Sequence, residues 1–162
     1  MKKTYRFDIY RFQRVRGDKK ISVPVAYLPV TLSSKDDNGV IRERSMLGMI
    51  DTGADHSLLN GYIAKRLGHD LKNKKVPNFT LGGIGGIGLD VYEHTFSLAI
   101  HHASKKENIL VLQDFEISCH AYTQKPTPEQ ENFDALIIGT SDILCYFDMR
   151  IDFRNGDLYL TC

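Results

Sequence analysis

The chain has 162 residues, 42% of them hydrophobic and 25% charged. That is one domain's worth of sequence with enough apolar surface to offset the entropy of ordering, which excludes disorder over most of its length, collagen-like repeats and coiled-coil rods. A net charge of +1 argues against a dedicated nucleic-acid binder, and no apolar run approaches a membrane span.

The start, MKKTYRFDIYRF, lacks the apolar core of a secretory signal. Cys119, Cys145 and Cys162 are odd in number and have no metal-ligand spacing, so a reducing, cytoplasmic setting is expected. Residues 1–20 hold eight Lys and Arg against Asp8 and Asp18, a net +6. A nucleic-acid or membrane arm is one reading. The plainer one is a half-buried edge strand, because Tyr5, Phe7, Ile9 and Tyr10 to Phe12 interleave with the charges roughly at period two. Arg16-Gly17-Asp18 reads as a turn.

Ile21 to Leu32 reads as a strand that Pro24 and Pro29 push toward an edge or a bulge. Lys35 to Gly39 is a turn cluster, and Val40 to Ile50 is the returning strand of a hairpin. Tyr62 to Leu67 is a helix candidate with Gly68 as its C-terminal cap. Short strands follow at Val76 to Leu81, Ile87 to Tyr92, Thr95 to Ile100, Ile109 to Leu112 and Phe115 to His120. Gln124 to Asn132 is a polar loop, and Phe133 to Ile138 a short apolar strand. Thr140 or Ser141 then caps a short helix through about Tyr146. Ile151 to Phe153, Asn155-Gly156 and Leu158 to Thr161 form a hairpin signal. The expected fold is mostly β, with one or two short helices and no second-domain boundary.

The segment most informative about chemistry runs from Leu47 to Leu59, where an apolar strand leads directly into Asp51-Thr52-Gly53. A carboxylate at the end of a buried strand is costly unless something pairs or uses it. Thr52 offers a hydroxyl to brace the loop, and Gly53 lets the backbone approach the carboxylate and donate an N–H. This segment resembles the active-site signature of retropepsin-like aspartic proteases. Leu81-Gly82-Gly83-Ile84-Gly85-Gly86 resembles the glycine-rich flap tip of the retroviral members. Ala135-Leu136-Ile137-Ile138-Gly139 resembles the element that braces the catalytic loop. Order and rough separations also match, over about residues 40–162. Residues 1–39 have no counterpart in that pattern and read as a basic strand region and first hairpin strand of the same domain.

The resemblance implies a small closed acid-protease barrel with a flap hairpin and a C-terminal hairpin. It implies an aspartic endopeptidase that activates water between two carboxylates sharing a proton, with no cofactor and no metal. The chain has one Asp-Thr-Gly, so the second carboxylate must come from a second copy, giving an Asp51–Asp51 dyad across a homodimer. The implied catalytic residues are Asp51, Thr52 and Gly53. Ala54, Asp55, Gly82, Gly83, Ile84 and Gly85 would bind an extended polypeptide substrate, and neither a nucleic-acid nor a membrane partner is implied. Thr140 and Ser141 stand where retroviral enzymes commonly carry an arginine that pairs with the acid at the position of Asp55. His56 replaces a frequent acid, and the longer chain before the flap makes room for the Tyr62–Leu67 helix, as in cellular and bacterial members.

Other readings compete. Gly83 to Gly88 satisfies the dinucleotide-binding glycine pattern, but a strand rather than a helix is expected after it. His94, His101 and His102 lack a matching Cys or acid cluster for a metal. Asp134 and Asp142 read as turn and helix N-terminal acids. Asn78-Phe79-Thr80 spells a glycosylation sequon that a cytosolic chain would not use. The serious alternative is a catalytically silent dimerisation or peptide-binding module on the same fold.

Overall fold

The computed structural model describes residues 2–35, 39–71, 79–82, 88–102, 107–120 and 136–162. Six strands close a barrel: β4 (Tyr27–Lys35), β5 (Ile41–Ile50), β10 (Leu136–Ile138), β6 (Leu58–Asn60), β9 (Glu107–His120) and β8 (Gly88–His102). The β4–β8 pairing, from Val30↔Ile100 to Ser33↔Ser97, completes the ring. β7 (Phe79–Gly82) extends it from β8. Closure leaves those six strands no free edge along their paired stretches.

Alternation of side chains fills the interior. β4 buries Leu28, Val30 and Leu32, and β8 buries Phe96, Leu98 and Ile100. Ile117, Cys119, Leu136 and Ile138 complete one continuous core. At about 25 cal/mol per Å2 of apolar area removed from water, such side chains supply most of the drive to fold.

A second sheet joins both ends of the described chain. β1 (Thr4–Asp8) pairs antiparallel with β12 (Asp157–Thr161), which pairs with β11 (Asp148–Asp152). Tyr5 and Phe7 of β1 point inward while Thr4, Arg6 and Asp8 face solvent, the expected period of two. The Arg6 guanidinium clamps the nearly buried Asp157 carboxylate from Nε at 2.8 Å and from Nη2 at 2.7 Å, and the Tyr159 hydroxyl donates to its other oxygen at 3.1 Å.

The expected edge strand stops at β1. β2 (Tyr10–Arg16) and β3 (Lys19–Val25) form a separate two-stranded ribbon, closed by a two-residue turn whose first residue, Gly17, takes φ +60. The single strand expected over Ile21 to Leu32 is broken at Ala26, between ribbon and barrel. Pro24 sits in this ribbon opposite Arg11, and Pro29 lies just before the residues of β4 that pair with β8, so neither removes a barrel hydrogen bond on that side.

Other boundaries moved for identifiable reasons. The strands expected at Ile87–Tyr92 and Thr95–Ile100 are parts of β8, and those at Ile109–Leu112 and Phe115–His120 are parts of β9. The break expected near Asp114 is a bulge instead: Asp114 takes φ +50 and the register shifts between Phe96 and Leu98 opposite. α1 (Gly61–Arg66) starts one residue early because the Asn60 side chain accepts the Tyr62 N–H at 2.8 Å, and Gly68 follows with φ +96. The helix expected after Thr140 is a turn followed by a single 3-10 turn at Leu144–Tyr146 with no side-chain cap. C-terminal pairing begins at Asp148, and the β11–β12 connection has four residues, with Gly156 at φ +79. Residues 76–78, the Gln124–Asn132 loop and Phe133 to Ala135 lie outside the described residues.

Candidate active site

Asp51 leaves the end of β5, one residue beyond the barrel ladder. The Ile50 N–H donates to the Ala26 carbonyl at 2.9 Å, and the Asp51 N–H donates to the Ile138 carbonyl at 3.1 Å. The backbone entering the turn is therefore anchored from β10 and from Ala26, the residue just before β4. The Gly53 N–H donates to Asp51 Oδ1 at 2.9 Å, and the Ala54 N–H donates to the Asp51 carbonyl at 3.1 Å. A Cβ on Gly53 would lie 3.3 Å from that Oδ1, tighter than nearly all such contacts. The result is one half-buried carboxylate on a tight turn, with Thr52 and Gly53 exposed beside it.

The turn is fastened from the far end of the sequence. The Thr140 N–H and hydroxyl both donate to the Ala54 carbonyl, at 2.9 and 3.1 Å, and the Ser141 N–H donates to the Asp55 carbonyl at 2.8 Å. β10 lies parallel to β5, pairing Leu136↔Gly48, Ile137↔Met49 and Ile138↔Ile50, and so delivers residues 139–142 beneath the loop. Gly139 passes so close that a Cβ there would sit 2.4 Å from the His56 carbonyl carbon. Only glycine fits without moving backbone.

Ser57 and Asp142 complete the fastening, and sequence reasoning missed both. Ser57 is fully buried. Its N–H donates to Asp142 Oδ2 at 2.6 Å, its hydroxyl donates to Asp142 Oδ1 at 2.8 Å, and its Oγ accepts the Gly139 N–H at 3.0 Å. Asp142 had read as a helix N-terminal acid; with no α-helix following, its carboxylate instead holds the loop. A small polar residue directly before the apolar Leu58-Leu59 was the available signal.

The expected site residues divide into two groups. Asp51, Thr52, Gly53, Ala54 and Asp55 lie together on one loop, with Asp55 exposed and its carboxylate unpaired among the described residues. Gly82 ends β7 opposite Gly88, which places the base of a hairpin. Gly83, Ile84 and Gly85 lie outside the described residues, as does Asp134. The histidines weighed as metal ligands have other partners: His101 bonds to Asn108 and Thr31 at 2.7 and 2.8 Å, His102 to the Arg6 carbonyl at 2.9 Å, and His94 meets His69 edge-on. No group of three His, Cys, Asp or Glu side chains able to hold a metal occurs among the described residues. Burial holds His120, at the end of β9, below its ordinary acidity constant. Among the described residues no helix is long and apolar enough to cross a membrane.

Comparison with known proteins yields no matching family model and no matching curated protein. Among solved structures, the chain is similar to a retropepsin-like aspartic protease from Rickettsia conorii, at 20% identity and a TM-score of 0.54. That match covers 99% of this chain and 93% of the other. With its closed six-stranded barrel and few helical residues, the chain has a retropepsin-like fold.

Proposed function

We propose that the protein is an aspartic endopeptidase, active as a homodimer in which Asp51 of each copy forms the catalytic dyad. The observation that carries this reading is the Asp51 turn: a carboxylate held by the Gly53 N–H on a loop fastened to β10, in a fold shared with an aspartic protease. These contacts hold one carboxylate in a fixed place at the end of a strand, which is what the reaction needs.

In the reaction, one carboxylate of the dyad takes a proton from water as the water oxygen attacks the peptide carbonyl carbon. The other, protonated, carboxyl group gives its proton to the carbonyl oxygen. Collapse of the tetrahedral intermediate passes a proton to the departing amine. The two groups titrate as one unit. Gly53 presents bare backbone at the loop edge, Asp55 an exposed carboxylate for the main chain of an extended peptide, and Thr52 an exposed hydroxyl for bracing the partner loop. Residues 82–85 close over the substrate in this reading, and no cofactor takes part.

The test is cleavage of a denatured protein substrate by the full chain and by Asp51→Asn. The expected result is cleavage by the first only, with both eluting as folded dimers. Equal cleavage by the two would remove Asp51 from the mechanism. Folded dimers without cleavage from either would leave the peptide-binding module as the function of this fold.

A further inference from the structure

The half-buried edge expected for the basic N-terminal residues holds for β1 alone, and the remaining cations are displayed differently. The β2–β3 ribbon carries Arg11, Arg14, Arg16, Lys19 and Lys20 against a single acid, Asp18, a net +4 on a chain whose total is +1. Every residue from Gln13 to Ser22 is exposed, including Val15 at 73%. None of the five cations makes an ion pair among the described residues; Arg11 donates one hydrogen bond, to the Phe153 carbonyl. At the base, Tyr10 and Phe12 meet Tyr27 edge-on at 5.5 and 5.9 Å, which anchors the ribbon to the barrel and leaves its outer half free.

Register decides where the charges point. Cross-strand partners share a face, so Arg14, Ile21, Arg16 and Lys19 lie on one side of the ribbon. Arg11, Gln13, Ser22, Val15 and Lys20 lie on the other. Both faces are therefore cationic, and each exposed aliphatic side chain is paired across the strands with a cation: Ile21 with Arg14, and Val15 with Lys20. A flat anionic membrane would meet one face and gain little from the second, and neither face offers an unbroken apolar stripe for insertion. A groove with phosphates on both walls would meet both. The major groove of B-form DNA admits a two-stranded β-ribbon, whereas the deep, narrow major groove of duplex RNA does not.

We propose that the β2–β3 ribbon is a docking arm for duplex DNA, entering the major groove with its two cationic faces toward opposite phosphate walls. Binding is chiefly electrostatic, carried by contacts of the five cations with the phosphates. The overall charge of +1 excludes a basic surface over the whole chain and leaves room for a local arm. This inference does not rest on the peptidase reading.

The experiment is fluorescence anisotropy of a labelled DNA duplex of about 20 base pairs, titrated with the full chain over a range of salt concentrations. Each cation that neutralises a phosphate adds about 0.9 to the slope of log affinity against log salt. Replacing Arg14, Arg16, Lys19 and Lys20 together by Ser should lower that slope by about 3 to 4 and so weaken binding at about 0.1 M salt by about a thousandfold or more. Arg16→Ser and Lys20→Ser, as single changes on opposite faces, should each lower it by about 1, and they serve if the fourfold variant does not fold. Lys65→Ser, an exposed lysine on α1, should leave the slope unchanged. Duplex RNA of the same length should bind more weakly. The proposal is overturned if the wild type does not bind DNA, if the ribbon variants keep its affinity and slope, or if RNA binds as tightly. It is equally overturned if the chain binds vesicles containing phosphatidylserine but not DNA.

Discussion

Ser57→Ala probes the fastening of the Asp51 loop at its most enclosed point. The hydroxyl is fully buried, donates to Asp142 Oδ1 at 2.8 Å and accepts from the Gly139 N–H at 3.0 Å. Removing it deletes one bond to a charged acceptor, worth about 1.5 to 3 kcal/mol, and strands a buried N–H at a cost of about 1 to 3 kcal/mol. Part of that is recovered because Asp142 still accepts the Ser57 N–H. The net expectation is a loss of about 2 to 4 kcal/mol, or roughly 5 to 15 °C in Tm for a domain of this size. Asp142→Asn keeps one acceptor oxygen and should lose roughly half as much. The measurement is urea denaturation at fixed protein concentration, because a dimer's apparent stability depends on concentration. Under the proposed function, kcat should fall in both variants because the loop positions the carboxylate, and KM should rise as well because the same loop carries Gly53 and Asp55. A loss below about 0.5 kcal/mol for Ser57→Ala, the range of an ordinary surface change, would refute the reasoning.

Three further outcomes are expected. Gly139→Ala should displace the loop backbone at His56 and cost at least about 2 kcal/mol by denaturation, with peptidase activity falling in parallel; wild-type stability would mean the close approach is not tight. Specific activity should fall on dilution below the dimer dissociation constant, and a monomer fully active in sedimentation would remove the shared dyad. Burial holds His120 below its ordinary 6.5, so the unfolded chain takes up the proton first. Its contribution to stability is complete above that value and is lost as pH falls toward the folded constant. Denaturation between about pH 7 and 5 should therefore show falling stability, with a shallower slope in His120→Gln; an unchanged slope assigns the effect elsewhere.

Local signals in the sequence were read well, and distant pairings were not. The Asp51 turn, the α1 helix with its glycine stop, the β4–β5 hairpin and the C-terminal hairpin each rest on residues within about two dozen positions of one another. β8 and β9 looked like four short strands because bulges and polar solvent-facing residues interrupt their alternation, while the continuous ladder between them holds each together. The Ser57–Asp142 contact joins residues 85 apart, and no spacing rule reaches that far. The basic ribbon had the period of an edge strand, but Gly17 turns it back on itself before it can join a larger sheet.

The insertion of β10 between β5 and β6 also sets an order of events. Asp51 follows β5, yet its loop is closed by residues 136–142, with Asp142 lying 85 positions after its partner Ser57. The entropy of closing so long a loop must be met before this short parallel strand returns any hydrogen bonds, and such non-local pairings form slowly. A chain still emerging from the ribosome can build the β4–β5 hairpin and α1, but not a rigid Asp51 turn. The carboxylate is thus locked in place only once the residues through Asp142 are available, so its geometry reports on closure of the barrel.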